Sequence, residues 1–303
     1  MITNALSIDL EEYFQVSNFE KLLDRESWGS LPSRVEESTH RLLDAFDETG
    51  NRATFFVLGW IAERHPALVA EIAQRGHEIA CHGYFHELVY EIGPERFRAD
   101  LQRSCEIIEK VSGCAPKGYR APSYSVTERS LWALDILAEE GFSYDSSIFP
   151  IHHHRYGIPS FERQPVRLEL PGGGAIDEFP MTTLQLGRFT IPMAGGAYLR
   201  FMPGALFRWG FKRLVKAGQP TVLYLHPWEI DPDQPRQDVS LKIRVNHYHN
   251  LQRTEGRLRS LLETFDFAPL VDVLADLGRN GRLPTRALSI ENASAPSEKR
   301  RAA

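Results

Sequence analysis

The sequence predicts an α/β protein organised around a parallel sheet. Short apolar runs of strand length alternate with helical segments along most of the chain, a pattern typical of βα units whose strands lie parallel. About seven such units would close the sheet into a barrel. Ionisable residues also stand at or just past the ends of several apolar runs, and α/β barrels carry their chemistry at the carboxyl ends of strands.

The elements before residue 90 follow from the hydrophobic pattern and from glycine stops. Apolar residues recur with helical spacing at Val35, Leu42, Leu43 and Phe46, and Gly50 ends that helix. In chain order, the pattern predicts strand 5–10, loop 13–32, helix 33–49, strand 52–58, helix 66–75 and strand 76–81.

The alternation continues through the second part of the chain. In order, the pattern predicts helix 94–112, strand 118–120, helix 127–140, strand 142–147, a loop-rich region 148–178, strand 179–183, helix 203–217, strand 221–226, helix 252–264 and a final strand-helix unit. From residue 280 the composition turns polar, so we expect a disordered tail at 280–303.

Composition narrows the class of protein. In 303 residues, 35 basic and 40 acidic side chains leave a formal charge of −5, which gives no electrostatic case for binding nucleic acid or an anionic membrane. We find no signal-peptide pattern and no apolar run near the roughly 18–20 residues that span a bilayer. Cys81, Cys105 and Cys114 match no zinc-ligand spacing and are expected to be free thiols. These features predict a soluble, cytoplasmic protein.

A histidine pair follows the predicted strand 76–81. His82 falls where the strand ends, and His86 comes four residues later. If residues 82–86 form one turn of helix, both imidazoles face one side and can hold a single divalent metal ion. Two partly buried histidines that hydrogen-bond to neighbours would have the same spacing, so the pair alone leaves both interpretations open.

Other ionisable side chains stand at the ends of other predicted strands. Together with the histidine pair they form the set Asp9 with Glu11, His82, Arg120, Asp145 and His226. Because the carboxyl ends of parallel strands meet at one rim, these residues would meet there. Concentrating so many ionisable groups is costly for a purely structural chain and indicates a functional site.

Five short motifs stand in order along the chain: Asp9-Leu-Glu11, His82-xxx-His86, Arg120-Ala-Pro122, Asp145-Ser-Ser147 and Leu225-His226. They resemble the motifs of polysaccharide deacetylases of the NodB-homology, carbohydrate esterase family 4 type. The sequences Asp-Leu-Glu-Glu-Tyr-Phe, Tyr-Arg-Ala-Pro-Ser-Tyr, His-Pro-Trp-Glu and Asn246-His-Tyr-His-Asn250 are similar to a bacterial subgroup tied to exopolysaccharide and exosortase loci.

The resemblance implies an architecture and an activity. The fold is a deformed (β/α)7 barrel at 1–230 with a C-terminal extension at 231–279 packed on it, before the expected tail. The activity is hydrolysis of N-acetyl groups from amino sugars of a polysaccharide or its lipid-linked precursor, with one divalent metal ion, zinc. The implied partners are an N-acetylated glycan and the exopolysaccharide-assembly machinery.

Three residues are expected to hold the metal ion. His82 and His86 supply two imidazoles, and Glu11 supplies a carboxylate. Glu11 is favoured because residues i and i+2 of an extended segment point the same way, which places Asp9 and Glu11 together at the rim. The family usually has two adjacent aspartates here, so Glu12 stays open as the alternative ligand.

The remaining site residues receive catalytic roles. Asp9 is the base for the attacking water, and by the family pattern Arg120 pairs with it and keeps it ionised. His226 is the acid that protonates the leaving amine, with Asp145 holding its imidazolium. The backbone N–H of Ser123 takes the place of the family's oxyanion donor.

Several residues are assigned to the substrate or left open. Ser123 and Tyr124 are expected at the substrate, although the family has an aromatic residue where Ser123 stands. Trp228 either lines the sugar site or finishes the barrel. His152–His154 either contacts substrate or is an ordinary loop, whereas His247 and His249 are expected to pack or hydrogen-bond.

Two other functions fit the same sequence. A hydrolase of this fold could open cyclic imides or ureides, at times without metal, although the intact histidine pair favours a metal. A glycan-binding module would have lost Asp9, His226 or a metal ligand, and all are present.

Overall fold

The computed structural model describes residues 4–20 and 22–288. Its strands are β1 (Asn4–Leu10), β2 (Thr54–Val57), β3 (Glu78–Cys81), β4 (Gly118–Tyr119), β5 (Tyr144–Asp145), β6 (Val166–Glu169), β7 (Ala175–Glu178), β8 (Thr183–Leu186), β9 (Phe189–Pro192), β10 (Thr221–Leu225) and β11 (Thr285–Ala287). Its α-helices are α1 (Val35–Thr49), α2 (Gly59–Arg64), α3 (Pro66–Gln74), α4 (Val89–Ser112), α5 (Trp132–Glu139), α6 (Ala197–Phe201), α7 (Gly204–Lys216), α8 (Leu241–Tyr248), α9 (Leu251–Leu262) and α10 (Leu270–Arg279).

Seven parallel strands form the barrel wall in the order β10-β1-β2-β3-β4-β5-β7. Two further strands extend the same sheet: β6 runs antiparallel to β7, and β11 pairs with β6. The predicted α/β fold, a deformed (β/α)7 barrel, is confirmed.

The deformation lies between β7 and β10, which share no direct ladder in the described part of the chain. Thr182 bridges the gap with its side chain, since its Oγ1 accepts from the Val222 N–H at 2.6 Å. The Tyr224 N–H donates to the Ala194 carbonyl, and Gly195 lies so close that a Cβ there would come within 2.1 Å of the Tyr224 carbonyl oxygen. We call this gap, bridged by Thr182 and residues 194–196, the seam.

Both faces of the wall are buried, which explains why its strands appear as nearly continuous apolar runs in the sequence. Successive residues of β2 point to opposite sides. Phe55 packs outward, with its ring 6.4 Å from that of Phe46 in α1. Phe56 points inward to the cluster inside the barrel and lies 6.5 Å from the Tyr144 ring.

The extension returns to the start of the sheet. Helix α9 packs near α1, where the Asn51 side chain donates to the Leu262 carbonyl at 3.2 Å. Ala268 then forms a bridge with Ala5 of β1, and α10 follows. In the portion of the chain that the structure covers, we find no helix with the length and apolar character needed to cross a bilayer.

Some predicted elements are wrong, mostly between residues 148 and 196. The predicted strand 179–183 lies between β7 and β8, and the region predicted as loop-rich contains β6 and β7. These strands are short and partly exposed, so they lack the continuous apolar signal of the wall. Helices α2, α6 and α8 were not predicted, and α4 begins before the predicted residue 94, with a break at Gly93.

The predicted disordered tail begins too early. Residues 285–287 form β11, which pairs with β6. Residues 289–303 of the predicted tail lie outside the described residues.

Candidate active site

The ionisable residues singled out in the sequence meet at the carboxyl ends of the wall strands. Asp9 and Glu11 stand at the end of β1, His82 follows β3, Arg120 follows β4, and His226 follows β10. Asp9, Glu11, His82 and Arg120 are buried, whereas the His226 side chain keeps 18% of its exposure. The His226 imidazole is thus partly open to solvent and lies beside the buried carboxylates of Asp9 and Glu11.

Glu11, His82 and His86 form a candidate metal cluster. One ligand atom from each lies within 4.8 Å of the others, and Glu11 Oε2 is 3.1 Å from His86 Nε2. The predicted helical turn at 82–86 is wrong, because Gly83 and His86 have φ values of 76° and 57°. The chain instead turns sharply while Asp100 accepts from the Tyr84 N–H, and this turn still brings the two imidazoles together.

The two histidines of the cluster are in the neutral state that can bind a cation. The His82 Nδ1 donates to the Arg120 carbonyl at 2.7 Å, which leaves Nε2 with a free lone pair. Burial lowers the pKa of His82 to about 4 and holds the pKa of His86 well below its usual value, so both rings are neutral near pH 7. Among the described residues, Glu11 Oε2 is buried and lacks a hydrogen-bond donor. These residues therefore fit a divalent metal ion.

Burial also raises the pKa of Glu11 to about 7, although the nearby His226 and a hydrogen bond from Trp228 act in the opposite direction. A carboxylate buried in this way is costly until a positive charge balances it. A bound cation would supply that charge.

Glu12, the alternative ligand, has a different task. Its carboxylate accepts from the N–H groups of Arg34 and Val35 at 3.0 and 3.2 Å, and from the Ser33 hydroxyl. Those N–H groups belong to the start of α1, where a carboxylate satisfies unpaired donors. Glu12 thus caps α1, and Glu11 is the member of the cluster.

Asp9 is fixed by Arg120. The guanidinium donates to Asp9 Oδ1 at 2.7 Å and to the Ser7 hydroxyl at 2.7 Å, and it lies 4.1 Å from the Phe56 ring centroid. Asp9 Oδ2 points toward His226 and is 3.9 Å from its Nε2 atom. The carboxylate therefore has one oxygen held and the other turned to the site.

The predicted partner of His226 is wrong. His226 Nδ1 donates to Glu229 at 2.9 Å, whereas Asp145 accepts from the Ser147 hydroxyl and N–H at 2.6 and 3.1 Å. Asp145 also stands opposite Glu178 in the register of the β5–β7 pair. Since the Ser147 hydroxyl accepts from the Ala121 N–H at 2.7 Å, Asp145 supports the turn after β4 instead.

A signal for Glu229 was present in the sequence. Glu229 stands three residues after His226, the spacing of a capping box, and its carboxylate accepts from the His226 N–H as well as from the ring. Burial favours the neutral form of His226, but the charge of Glu11 and the bond to Glu229 raise the His226 pKa to about 9. Burial likewise opposes ionisation of Glu229, yet Arg200 and His226 lower its pKa to about 2.

The aromatic residues assigned to substrate are mostly buried. Trp228 is 6% exposed, stacks 5.1 Å from the His226 ring, and donates from Nε1 to Glu11 Oε1 at 3.0 Å. The Trp228 indole therefore orients the cluster carboxylate, and its contact with the sugar stays a prediction. Tyr124 is also 6% exposed, and its ring packs against Phe149 and Tyr224.

Ser123 lies in a strained turn. Its φ is 51°, in the left-handed region that non-glycine residues rarely adopt, and its hydroxyl is 2.6 Å from the Ser17 hydroxyl. Strained backbone of this kind is frequent at functional sites. The turn follows Arg120 directly along the chain.

The sequence also singled out the histidines of two other segments, 152–154 and 247–249. His153 and His154 line a cavity of about 610 Å³, and His153 stacks 3.8 Å from the Tyr156 ring. The expected packing of His247 and His249 is confirmed, since they stack on Trp228 and Phe201 at 4.3 and 4.5 Å.

Two family models match the chain. The polysaccharide deacetylase model matches residues 28–142, and a domain of unknown function, DUF3473, matches residues 146–275. The first range includes His82, His86 and Arg120, and the second includes His226 and Glu229. The candidate site is thus shared between both ranges and the first strand.

Curated relatives of the chain include peptidoglycan deacetylases, which is consistent with the match to the polysaccharide deacetylase model. A peptidoglycan-N-acetylglucosamine deacetylase of Bacillus cereus is 31% identical over 122 residues, 36% of this chain and 44% of that protein. The chain spans less than half the length of the first curated relatives it matches. The family model and the relatives support the polysaccharide deacetylase family.

Solved structures share the fold over nearly the whole chain. A polysaccharide deacetylase structure from Mycobacterium smegmatis has a TM-score of 0.60 and 24% identity, covering 95% of this chain and 94% of its own. The PuuE allantoinase structure has a TM-score of 0.56 and 18% identity, covering 93% and 91%. Both show similarity of fold.

Proposed function

We propose that the protein is a metal-dependent hydrolase that removes N-acetyl groups from amino sugars of a polysaccharide or its lipid-linked precursor. The observation that carries the proposal is the buried cluster of Glu11, His82 and His86 with Asp9 and His226 beside it. The same proposal includes an exopolysaccharide locus and contact with the assembly machinery, which rest on the sequence motifs. It also includes a cytoplasmic location, which rests on the composition and on the cysteines expected to be free thiols.

Glu11, His82 and His86 would hold one divalent ion, zinc, because two neutral imidazoles and one carboxylate are its usual ligands. When bound, the ion would supply a Lewis acid for the amide carbonyl and acidify the attacking water. The chain's own contribution is to keep both imidazoles unprotonated and the carboxylate oriented by Trp228.

Asp9 accepts the proton of the attacking water. Arg120 holds one of its oxygens at 2.7 Å and leaves the other turned toward the site. The Ser123 N–H, in the turn after β4, donates to the oxygen on which negative charge develops.

His226 donates a proton to the departing amine. An amine leaves poorly unless it is protonated, so an acid whose proton faces the site is required. Glu229 holds the Nδ1–H of His226 and leaves Nε2 facing Asp9 and Glu11 across the site.

The test is acetate release from N-acetylglucosamine oligomers and from a lipid-linked N-acetylated precursor. We expect release that stops on treatment with a chelator and returns on addition of Zn²⁺, with Asp9→Asn as the inactive counterpart. Allantoin serves as the comparison substrate, because the allantoinase shares the fold. Ring opening of allantoin without acetate release would favour the cyclic ureide alternative, and glycan binding without either reaction would favour a binding module.

A further inference from the structure

Arg200 connects the acid side of the site to the extension. It lies in α6, is 2% exposed, and donates from Nε to Glu229 Oε1 at 2.6 Å. Glu229 uses its other oxygen for the His226 ring. The guanidinium therefore stands directly behind the residue that orients the proposed acid.

The other side of the Arg200 guanidinium is held by the extension. Its Nη1 lies 3.0, 3.0 and 3.2 Å from the carbonyl oxygens of Asn246, His247 and His249. Asn250 completes the contact, because its side-chain amide donates back to the Arg200 carbonyl at 2.9 Å. We call residues 246–250 the clamp segment; it is the Asn-His-Tyr-His-Asn sequence that the proposed mechanism leaves without a role.

The clamp segment also supports Trp228, which contacts Glu11 of the candidate metal cluster. The His247 ring stacks on Trp228 at 4.3 Å with an interplanar angle of 13°, and its Nε2 donates to Gln234 at 2.8 Å. Gln234 in turn donates to the Trp228 carbonyl at 2.8 Å. Trp228 is thus fixed from the side opposite His226, with its indole N–H directed at Glu11.

We infer that the clamp segment and Arg200 are positioning elements of the active site, which fix His226 through Glu229 and fix Glu11 through Trp228. Replacing a buried arginine–carboxylate pair by apolar residues is often neutral or stabilising, so the pair is weak as a device for stability alone. Here the guanidinium joins Glu229, which holds His226, to the backbone of His247, whose ring stacks on Trp228. This inference rests on the role proposed for His226.

The main experiment compares Arg200→Met with Arg244→Met, since Arg244 is an exposed arginine on α8. We expect Arg200→Met to lower kcat per folded molecule about 10- to 100-fold while KM stays within about twofold, because partners behind active-site ligands typically have effects of this size. Arg244→Met should match the parent protein. Equal kcat per folded molecule in both variants would overturn the inference.

A second readout does not depend on activity. The hydrogen-bonded Nδ1–H proton of His226, assigned with ¹⁵N-labelled histidine, should disappear or shift in Arg200→Met and remain in Arg244→Met. An unchanged resonance in Arg200→Met contradicts the positioning role. If the parent protein releases no acetate, the proposed function fails, while this resonance still decides whether Arg200 positions His226.

Asn250→Gly covers the case in which Arg200→Met does not fold. Glycine accepts the φ of 57° at this position, and the change removes the side-chain amide that donates to the Arg200 carbonyl and lies 2.8 Å from His249 Nε2. The same loss of kcat, smaller in size, with the same shift of the resonance supports the inference. A folded Asn250→Gly with parental kcat and resonance overturns it.

Discussion

The candidate metal cluster of Glu11, His82 and His86 (the metal side) and the surroundings of His226, the proposed acid (the acid side), are built in different ways. Glu11, His82 and His86 follow two wall strands and converge through short, local turns. His226 instead depends on Glu229 beside it and on Arg200, almost thirty residues earlier in the chain. The difference teaches that the candidate ligands are placed by strand ends and local turns, whereas the carboxylate that orients the proposed acid is itself held by a distant segment.

The largest effect is expected at the metal side. His82→Ala or Glu11→Ala should abolish both bound metal and activity, because two remaining protein ligands rarely retain a catalytic ion. Metal analysis after purification without chelator provides the measurement. Glu12→Ala is the matched control and should keep its metal, since Glu12 caps α1. Stoichiometric metal in Glu11→Ala would move the ligand to another residue.

The second largest effect is expected for Asp9→Asn, which tests whether Asp9 acts as the base or as a metal ligand. Asp9→Asn should keep the metal and lose on the order of 10²–10⁴ in rate, the usual contribution of a general base. Metal content and kcat are measured on the same preparation. Loss of metal together with rate would instead make Asp9 a ligand, and would merge two roles that are kept apart here.

The acid side offers a direct choice between two carboxylates. Glu229→Gln should keep metal and lower kcat about 10- to 100-fold, because it weakens the hold on His226 Nδ1. Asp145→Asn should affect kcat less, since the Asp145 carboxylate accepts from the hydroxyl and N–H of Ser147 and not from His226. A larger loss of kcat in Asp145→Asn than in Glu229→Gln would restore the pairing that the sequence suggested.

Trp228 tests whether the two sides are linked. Trp228→Phe removes the N–H that reaches Glu11 while keeping a stacked ring. We expect metal affinity to fall about 10-fold, the lower end for a partner of a metal ligand. Competition with a chromogenic chelator measures the change. Unchanged metal affinity with a raised KM would return Trp228 to the sugar site.

The smallest effect concerns stability against pH. Burial lowers the pKa of His77 to about 4, below the usual value of about 6.5 for an unfolded chain. The unfolded state therefore takes up the proton first, so stability present above pH 6.5 is lost as pH falls toward 4. Between pH 7 and 5 this amounts to about 2 kcal/mol.

Urea unfolding at pH 7 and pH 5 measures the change. His77→Gln should flatten the pH dependence, and His40→Gln, which alters a half-exposed histidine, should not. An equal pH dependence in His77→Gln and the parent protein would contradict this assignment.

Much of the wall could be predicted from sequence because its strands are buried on both faces. The runs at β1, β2 and β10 are largely apolar, and those at β1 and β10 are followed by ionisable residues. Strands β6 and β7 could not be predicted in the same way, because each has four residues and alternates between buried and exposed positions beside prolines and glycines.

The site shows the same division. Strand ends and motif order were sufficient to place Asp9, Glu11, His82, His86, Arg120 and His226 in one region. They were insufficient for Asp145, because whether a carboxylate reaches a given imidazole depends on how β5 and the turn after β10 are packed. The left-handed backbone of His86 was equally hidden, since only the folded turn imposes it.

The seam has a consequence for how the molecule opens. Strand ladders join the neighbouring strands of the wall from β10 to β7. At the seam, only one side chain and a few backbone hydrogen bonds connect β10, the strand before His226, to the chain after β7. Local opening follows the fewest protecting hydrogen bonds. Excursions that open the seam would part β10 from β7, whereas β10 would stay paired with β1, and β1 with β2. Amide hydrogen exchange should therefore be faster at Gly196 and Tyr224 than at Ile8 and Phe56.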